Sequence, residues 1–229
     1  WRGIRICLDT PEMFRTQLRA ILRAGALGDA RILLPMISGL DEIRRAREMI
    51  RDVEAELAAE GVPYQKDCPV GAMIEVPSAA ILARQLAQEV DFFSLGTNDL
   101  VQYTLAVDRG TARVADLYDP LHPAVLQLIR QVTDAANEAG IPASICGEMA
   151  ADPVAAIVLL GLGVRLLSVN ASQIPNLKEV VRAVDIGQAS ELAGRSLKQA
   201  TGAEVRRLIE TTVPDVIAAA RPPRKENPS

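Results

Sequence analysis

The chain has 229 residues, a formal net charge of −4, and is 49% hydrophobic with only 3% aromatic residues. That length can bury one sizeable core, in the range where an α/β barrel is a single domain. The balance is acidic, which argues against a nucleic-acid or membrane surface as the main partner, and no apolar stretch approaches the roughly 20 residues that span a bilayer. A core of Ala, Leu, Ile and Val favours helices packed on aliphatic strands over an all-β sandwich. Cys7, Cys68 and Cys146 have no metal-like spacing, which fits a reducing, cytoplasmic compartment. No secretory leader is visible, and the chain opens in mid-pattern at Trp1.

In chain order, Thr10-Pro11 opens a helix striped by Phe14, Leu18, Ile21 and Leu22. Residues 31–37 form an apolar run of strand length. Ser38 and Asp41 then give a helix start signal, behind which Ile43, Ala46, Met49, Ile50, Val53 and Leu57 recur at helical spacing up to Gly61. A second strand lies near 70–75, with a helix from Pro77 to about Glu89. A third covers 91–95, with a shorter helix from about Asp99. His122-Pro123 opens a helix striped by Val125, Leu128, Ile129, Val132 and Ala136 and stopped by Gly140; His122 itself reads as a capping or surface residue. A fourth strand occupies 143–146, a helix 152–160 and a fifth strand 166–169. Further helices start near Gln173 and Gly187, and residues 221–229 read as a polar tail.

Strands interleaved with helices imply a parallel sheet. Five are too few to close an eight-stranded barrel, so the sheet is either open and doubly wound or the later part of a barrel. No Gly-x-Gly-x-x-Gly or Walker-type loop is present, which weakens the nucleotide-binding alternative. Residues 1–220 are expected to form one domain.

Three of these strands end in groups suited to chemistry. Ala72-Met73-Ile74 runs into Glu75, Phe92-Phe93-Ser94-Leu95 runs through Gly96-Thr97 into Asn98-Asp99, and Ala143-Ser144-Ile145 runs into Cys146-Gly147-Glu148. In repeating β/α folds, reactive groups gather at the carboxyl ends of the strands. Two carboxylates with waters and substrate oxygens suit Mg²⁺; equally, each acid could cap its helix or pair with an arginine. Arg109 could fork two phosphate or carboxylate oxygens or form a surface pair with Asp108 or Asp116. Cys146 is a candidate proton donor or a structural thiol.

Taken in order, several segments resemble the C-terminal phosphoenolpyruvate-binding domain of the phosphoenolpyruvate–protein phosphotransferases, enzyme I of the sugar phosphotransferase system. They are Trp1-Arg2-Gly3-Ile4-Arg5, Leu34-Pro35-Met36-Ile37, Met73-Ile74-Glu75-Val76-Pro77-Ser78-Ala79, 91–100, 102–109 and Ile145-Cys146-Gly147-Glu148-Met149-Ala150. The opening segment and 116–125 are closer to the nitrogen-regulatory paralogue. The resemblance implies a (β/α)₈ barrel, of which this chain is about the last five strands, with the first three expected before Trp1. It implies phosphoenolpyruvate and Mg²⁺ as ligands, a homodimer, and an HPr-like phosphocarrier as the downstream partner. It makes Glu75 and Asp99 the Mg²⁺ ligands, Asn98, Asp99, Arg109 and Arg2 the phosphoenolpyruvate-binding residues, and Cys146 the residue that protonates the enolate. His122 does not match the family's phosphohistidine, which belongs to another domain, so this chain alone is not expected to complete phosphotransfer. Ala151 stands where the family usually has glycine. The alternatives are another Mg²⁺-dependent pyruvate or enolate barrel, such as a dikinase or lyase, and a non-catalytic module that binds ligand or dimerises.

Overall fold

The structure, a computed structural model, describes residues 2–108, 110–111 and 113–219. The elements in chain order are α1 (Ile4–Asp9), α2 (Pro11–Gly25), β1 (Ile32–Leu34), α3 (Leu40–Ala59), β2 (Val70–Ile74), α4 (Pro77–Ile81), α5 (Ala83–Leu86), β3 (Phe92–Gly96), α6 (Thr97–Leu105), α7 (Pro123–Ala139), β4 (Ala143–Cys146), α8 (Pro153–Gly161), β5 (Leu166–Leu167), α9 (Ile174–Ala183), α10 (Ile186–Ser196), α11 (Gly202–Thr212) and α12 (Pro214–Ala219). The residues group into two compact units, one up to residue 100 with 131–143, the other 101–130 with residues from 144 onward. The tail expected at 221–229 lies outside the described residues.

In the first unit β1, β2 and β3 lie side by side in parallel, with Leu34 opposite Ala72 and Ile74 opposite Leu95. Chain order and sheet order coincide, the arrangement of a singly wound β/α repeat. Pro11 at the first position of α2 supplies a pre-set φ and lacks the N–H that a helix start leaves unpaired anyway. The helix then buries Phe14, Leu18 and Leu22 at four-residue spacing. α3 buries Ile43, Ala46, Ile50, Val53 and Leu57. Its start signal works through Glu42 rather than Asp41: the Glu42 carboxylate accepts the Ser38 and Gly39 amides at 2.5 and 3.2 Å. Strand β1 is shorter than the seven-residue run because Pro35 cannot donate to the ladder and Met36 turns to a left-handed φ of 61°.

The single helix expected from Pro77 to Glu89 is two short ones, broken at Leu82 (ψ 12°). The Gln131 side chain, from α7, donates to the Ile81 carbonyl at 2.9 Å. A carbonyl satisfied from outside no longer needs an amide one turn further along the helix. α1, which buries Ile4 and Leu8, was not foreseen.

The second unit holds β4 and β5 in parallel register, Ser144 opposite Leu166 and Ile145 opposite Leu167, extended by the Ser168 amide donating to the Ile145 carbonyl at 2.8 Å. α8 is apolar all round and buried from Val154 to Leu159, the pattern of a helix covered on every side. It meets α10 at Gly161, where a Cβ would stand 2.0 Å from the Ala189 carbonyl oxygen. His122 caps α7 as expected, its Nδ1 accepting the Ala124 amide at 3.2 Å. On α7 it is Leu126, not Leu128, that is fully buried beside Val125 and Ile129.

A pH effect follows from Glu54 on α3. Its Oε1 is buried without a hydrogen-bond partner. Burial, followed by the Asp67 charge, pushes its carboxyl above the usual range, while the Asp67 amide and Lys66 oppose the rise. A carboxyl whose folded pKa is raised stabilises the fold at low pH, and that contribution is lost as pH rises through the folded pKa. Glu54→Gln should therefore flatten the decline in Tm between the ordinary carboxylate range and neutrality. A parallel pair of Tm–pH curves for wild type and variant would count against it.

Candidate active site at the strand ends

Glu75 is the residue after β2 and is only 4% exposed. A buried carboxylate needs donors, and one is a backbone amide: Met36 N–H donates to Glu75 Oε1 at 2.6 Å. Met36 directs its amide there from the left-handed φ noted above, just past the end of β1. Gly96, the last residue of β3, lets Glu75 lie across that strand end, since a Cβ there would come within 2.7 Å of Glu75 Oε2.

Asp99 enters from the first turn of α6. Its charge bears on Glu75, and Arg2 Nη2 pairs with Asp99 Oδ2 at 2.8 Å. Arg2 is brought there by the start of the chain resting on the turn after β1. The Ile4 amide donates to the Pro35 carbonyl at 3.0 Å, and Gly3, at φ 61°, sits so close that a Cβ would lie 2.9 Å from the Met36 side chain. Burial pushes the Glu75 carboxyl up. The Met36 amide opposes that, Asp99 raises it further and Arg2 lowers it.

Arg2, Glu75 and Asp99 are thus drawn together in the first unit. Asn98 stands beside Asp99 in the same helical turn, half-buried, and is engaged in contacts of its own. Cys146 closes β4 in the second unit. Gly147 follows it at φ 109° and turns the chain into a short 3₁₀ segment, Glu148–Ala151. Arg109 lies outside the described residues. Asp108, one of the two surface partners considered for it, accepts from the Gly110 amide at 2.8 Å and the Thr111 hydroxyl at 3.0 Å. The sequence drew attention to the carboxylates but not to the Met36 amide. The only signal for it was Leu34-Pro35-Met36, a strand run halted by proline.

The donor set can be tested against a cation. Two carboxylates held together repel each other, and a divalent ion relieves that repulsion. Among the described residues no group of three or more His, Cys, Asp or Glu side chains is placed to hold a metal. Two carboxylates are the donor set that suits Mg²⁺, which takes one or two carboxylates and leaves its other positions to water and substrate oxygens.

Parallel strands with two carboxylates gathered at the ends of β2 and β3, faced by Arg2 from the start of the chain, define an α/β domain with a polar site at its strand ends. The chain belongs to the PEP-utilising enzymes, matching the model of their PEP-binding domain over residues 1–186. It is 48% identical over 210 residues to a phosphoenolpyruvate-protein phosphotransferase of Haemophilus influenzae, covering 92% of this chain and 36% of that protein. A protein of the same name from Listeria monocytogenes is 45% identical over 210 residues, covering 92% of this chain and 37% of that protein. An Escherichia coli protein named for the phosphoenolpyruvate-dependent phosphotransferase system is 47% identical over 208 residues, 90% of this chain and 28% of that one. The chain therefore spans about a third of the length of the curated relatives it matches. Among solved structures, a citrate lyase from Burkholderia xenovorans superposes with a TM-score of 0.53 at 20% identity, covering 90% of this chain and 68% of that chain. That likeness concerns the fold alone.

Proposed function

We propose that this chain is the phosphoenolpyruvate-binding part of a phosphotransferase that moves the phosphoryl group to a histidine outside the chain and on to an HPr-like carrier, releasing pyruvate. The observation that carries the reading is the Arg2–Asp99–Glu75 cluster at the ends of β2 and β3, in a chain 48% identical to a named phosphotransferase. Glu75 and Asp99 would hold Mg²⁺. When bound, the ion supplies positive charge against the phosphate and the departing enolate oxygen. Phosphoryl transfer asks the protein mainly for positioning and charge neutralisation. Arg2 and Arg109 provide cationic forks for the phosphate and carboxylate, and Asn98 donates an amide N–H to a ligand oxygen. Cys146 gives its thiol proton to the enolate carbon, which forms pyruvate and leaves a thiolate that water reprotonates. The domain acts as a homodimer in the cytoplasm. The three cysteines are free thiols, in keeping with a reducing compartment, and among the described residues no helix is long and apolar enough to cross a membrane.

The test is ligand binding to the full-length protein by calorimetry. Phosphoenolpyruvate should bind with Mg²⁺ present and lose most of its affinity in EDTA. Binding that is indifferent to EDTA, or absent altogether, would overturn the assignment.

A further inference from the structure

Helix α11 lies beyond residue 186, where the match to the family model ends. Its start is reciprocally capped. The Thr201 hydroxyl accepts the Glu204 amide at 3.2 Å, and the Glu204 carboxylate accepts the Ala200 amide at 2.9 Å. Val205 and Ile209 are fully buried and seat the helix in the second unit. Two residues four apart, and therefore on one face, reach other segments of that unit.

The first is Gly202, which lies so close to Asp119 that a Cβ would stand 2.0 Å from Oδ2 and 2.5 Å from Cγ. A carboxylate there is favoured by the unpaired amides and positive dipole end of the helix. Asp119 also accepts the Leu121 amide through Oδ1 at 3.0 Å and the His122 amide through its carbonyl at 3.1 Å. It thereby sets the turn that ends the connection from α6 to α7, the stretch of sequence that contains Arg109. The second is Arg206, whose Nη2 donates to Asp152 Oδ2 at 2.6 Å. Asp152 Oδ1 accepts the Val154 amide at 2.8 Å and caps α8. Asp152 comes directly after the Glu148–Ala151 turn that follows Cys146-Gly147.

We infer that α11 is a brace that positions both connections, with Gly202 and Arg206 as the positioning residues and Asp119 and Asp152 as their anchors. The functional weight of the brace rests on the role proposed for Cys146. The Arg206–Asp152 pair is 43% and 30% exposed at its side chains, and pairs so exposed add little to global stability. The consequence of losing it is therefore local: α8 keeps its cap, while the Cys146 turn is no longer tied to α11.

The experiment is site-resolved alkylation of the full-length protein by iodoacetamide, read by mass spectrometry at Cys146 with Cys7 and Cys68 as internal references. Arg206→Ala should raise the Cys146 rate about two- to fivefold, the factor equivalent to an exposed ion pair, with Cys7 and Cys68 unchanged. Arg206→Lys should restore part of the protection. Gly202→Ala places a methyl where the Asp119 carboxylate sits, but alanine is the better helix former. Its Tm should hold while tryptic cleavage after Arg113 accelerates by a similar factor. An unchanged Cys146 rate in Arg206→Ala, a common rise at all three cysteines, or unaltered cleavage in Gly202→Ala would each overturn the brace. None of these readouts needs turnover, so a protein that meets them without binding phosphoenolpyruvate loses the proposed function and keeps the brace.

Discussion

Glu75→Gln and Asp99→Asn, each made in the full-length protein, are expected to lower phosphoenolpyruvate-dependent phosphate transfer by about a thousandfold, since a bound metal contributes several kcal/mol of transition-state charge stabilisation. The two variants should differ in every other respect. An amide oxygen at Glu75 can still accept the Met36 N–H, so its donor at 2.6 Å is kept, and the burial that raises the carboxyl no longer acts on a charge. The stability of Glu75→Gln should equal or exceed that of wild type at neutral pH. Asp99→Asn removes the charge that Arg2 faces at 2.8 Å. That pair is half-exposed on the arginine side and contributes no more than about 1 kcal/mol, so the fold should persist with a slightly lower Tm. Phosphate transfer assayed over a Mg²⁺ titration, beside thermal melts, separates the effects. Full activity with an unchanged Mg²⁺ dependence in both variants would remove these carboxylates from the metal site.

The sequence makes the strand ends legible because two different periodicities meet there. An apolar run that stops before Glu75, after Leu95 or at Cys146, with helical spacing beyond, places the end of the strand to within a residue. The observed ends of β2, β3 and β4 agree. What escapes such a reading has no side-chain signature. The Met36 amide is a donor that any residue type carries; it is aimed by a left-handed φ that depends on Pro35, Gly3 and the neighbouring strand together. At the break by Leu82 the Ile81 carbonyl is met by Gln131, fifty residues away in sequence. α11 buries only Gly202, Val205 and Ile209, too sparse a stripe to stand out, and its partners Asp119 and Asp152 are visible only once the chain is folded. Local rules thus locate the reactive groups, while long-range hydrogen bonds decide how those groups are held.

Replacing Cys146 should separate two steps that a simple loss of activity would merge. A thiol that serves only to protonate the enolate has no part in moving the phosphoryl group, so Cys146→Ala in the full-length protein should still exchange phosphate between phosphoenolpyruvate and the histidine. Pyruvate formation should instead fall by about a hundredfold or more, the range that a positioned general acid contributes. Cys146 ends β4 and its turn is fixed by Gly147, the 3₁₀ segment and the Asp152 cap, so alanine leaves the backbone around it supported. Arg109→Ala should behave in the opposite way. It removes a charge-assisted fork worth roughly 1.5–3 kcal/mol per hydrogen bond, which slows phosphorylation itself by about tenfold to a hundredfold, and pyruvate then appears no more slowly than phosphohistidine. Rapid-quench single turnovers that follow both products give the comparison directly. If Cys146→Ala and Arg109→Ala depress both steps to the same extent, Cys146 supports the fold of its loop and the proton comes from elsewhere.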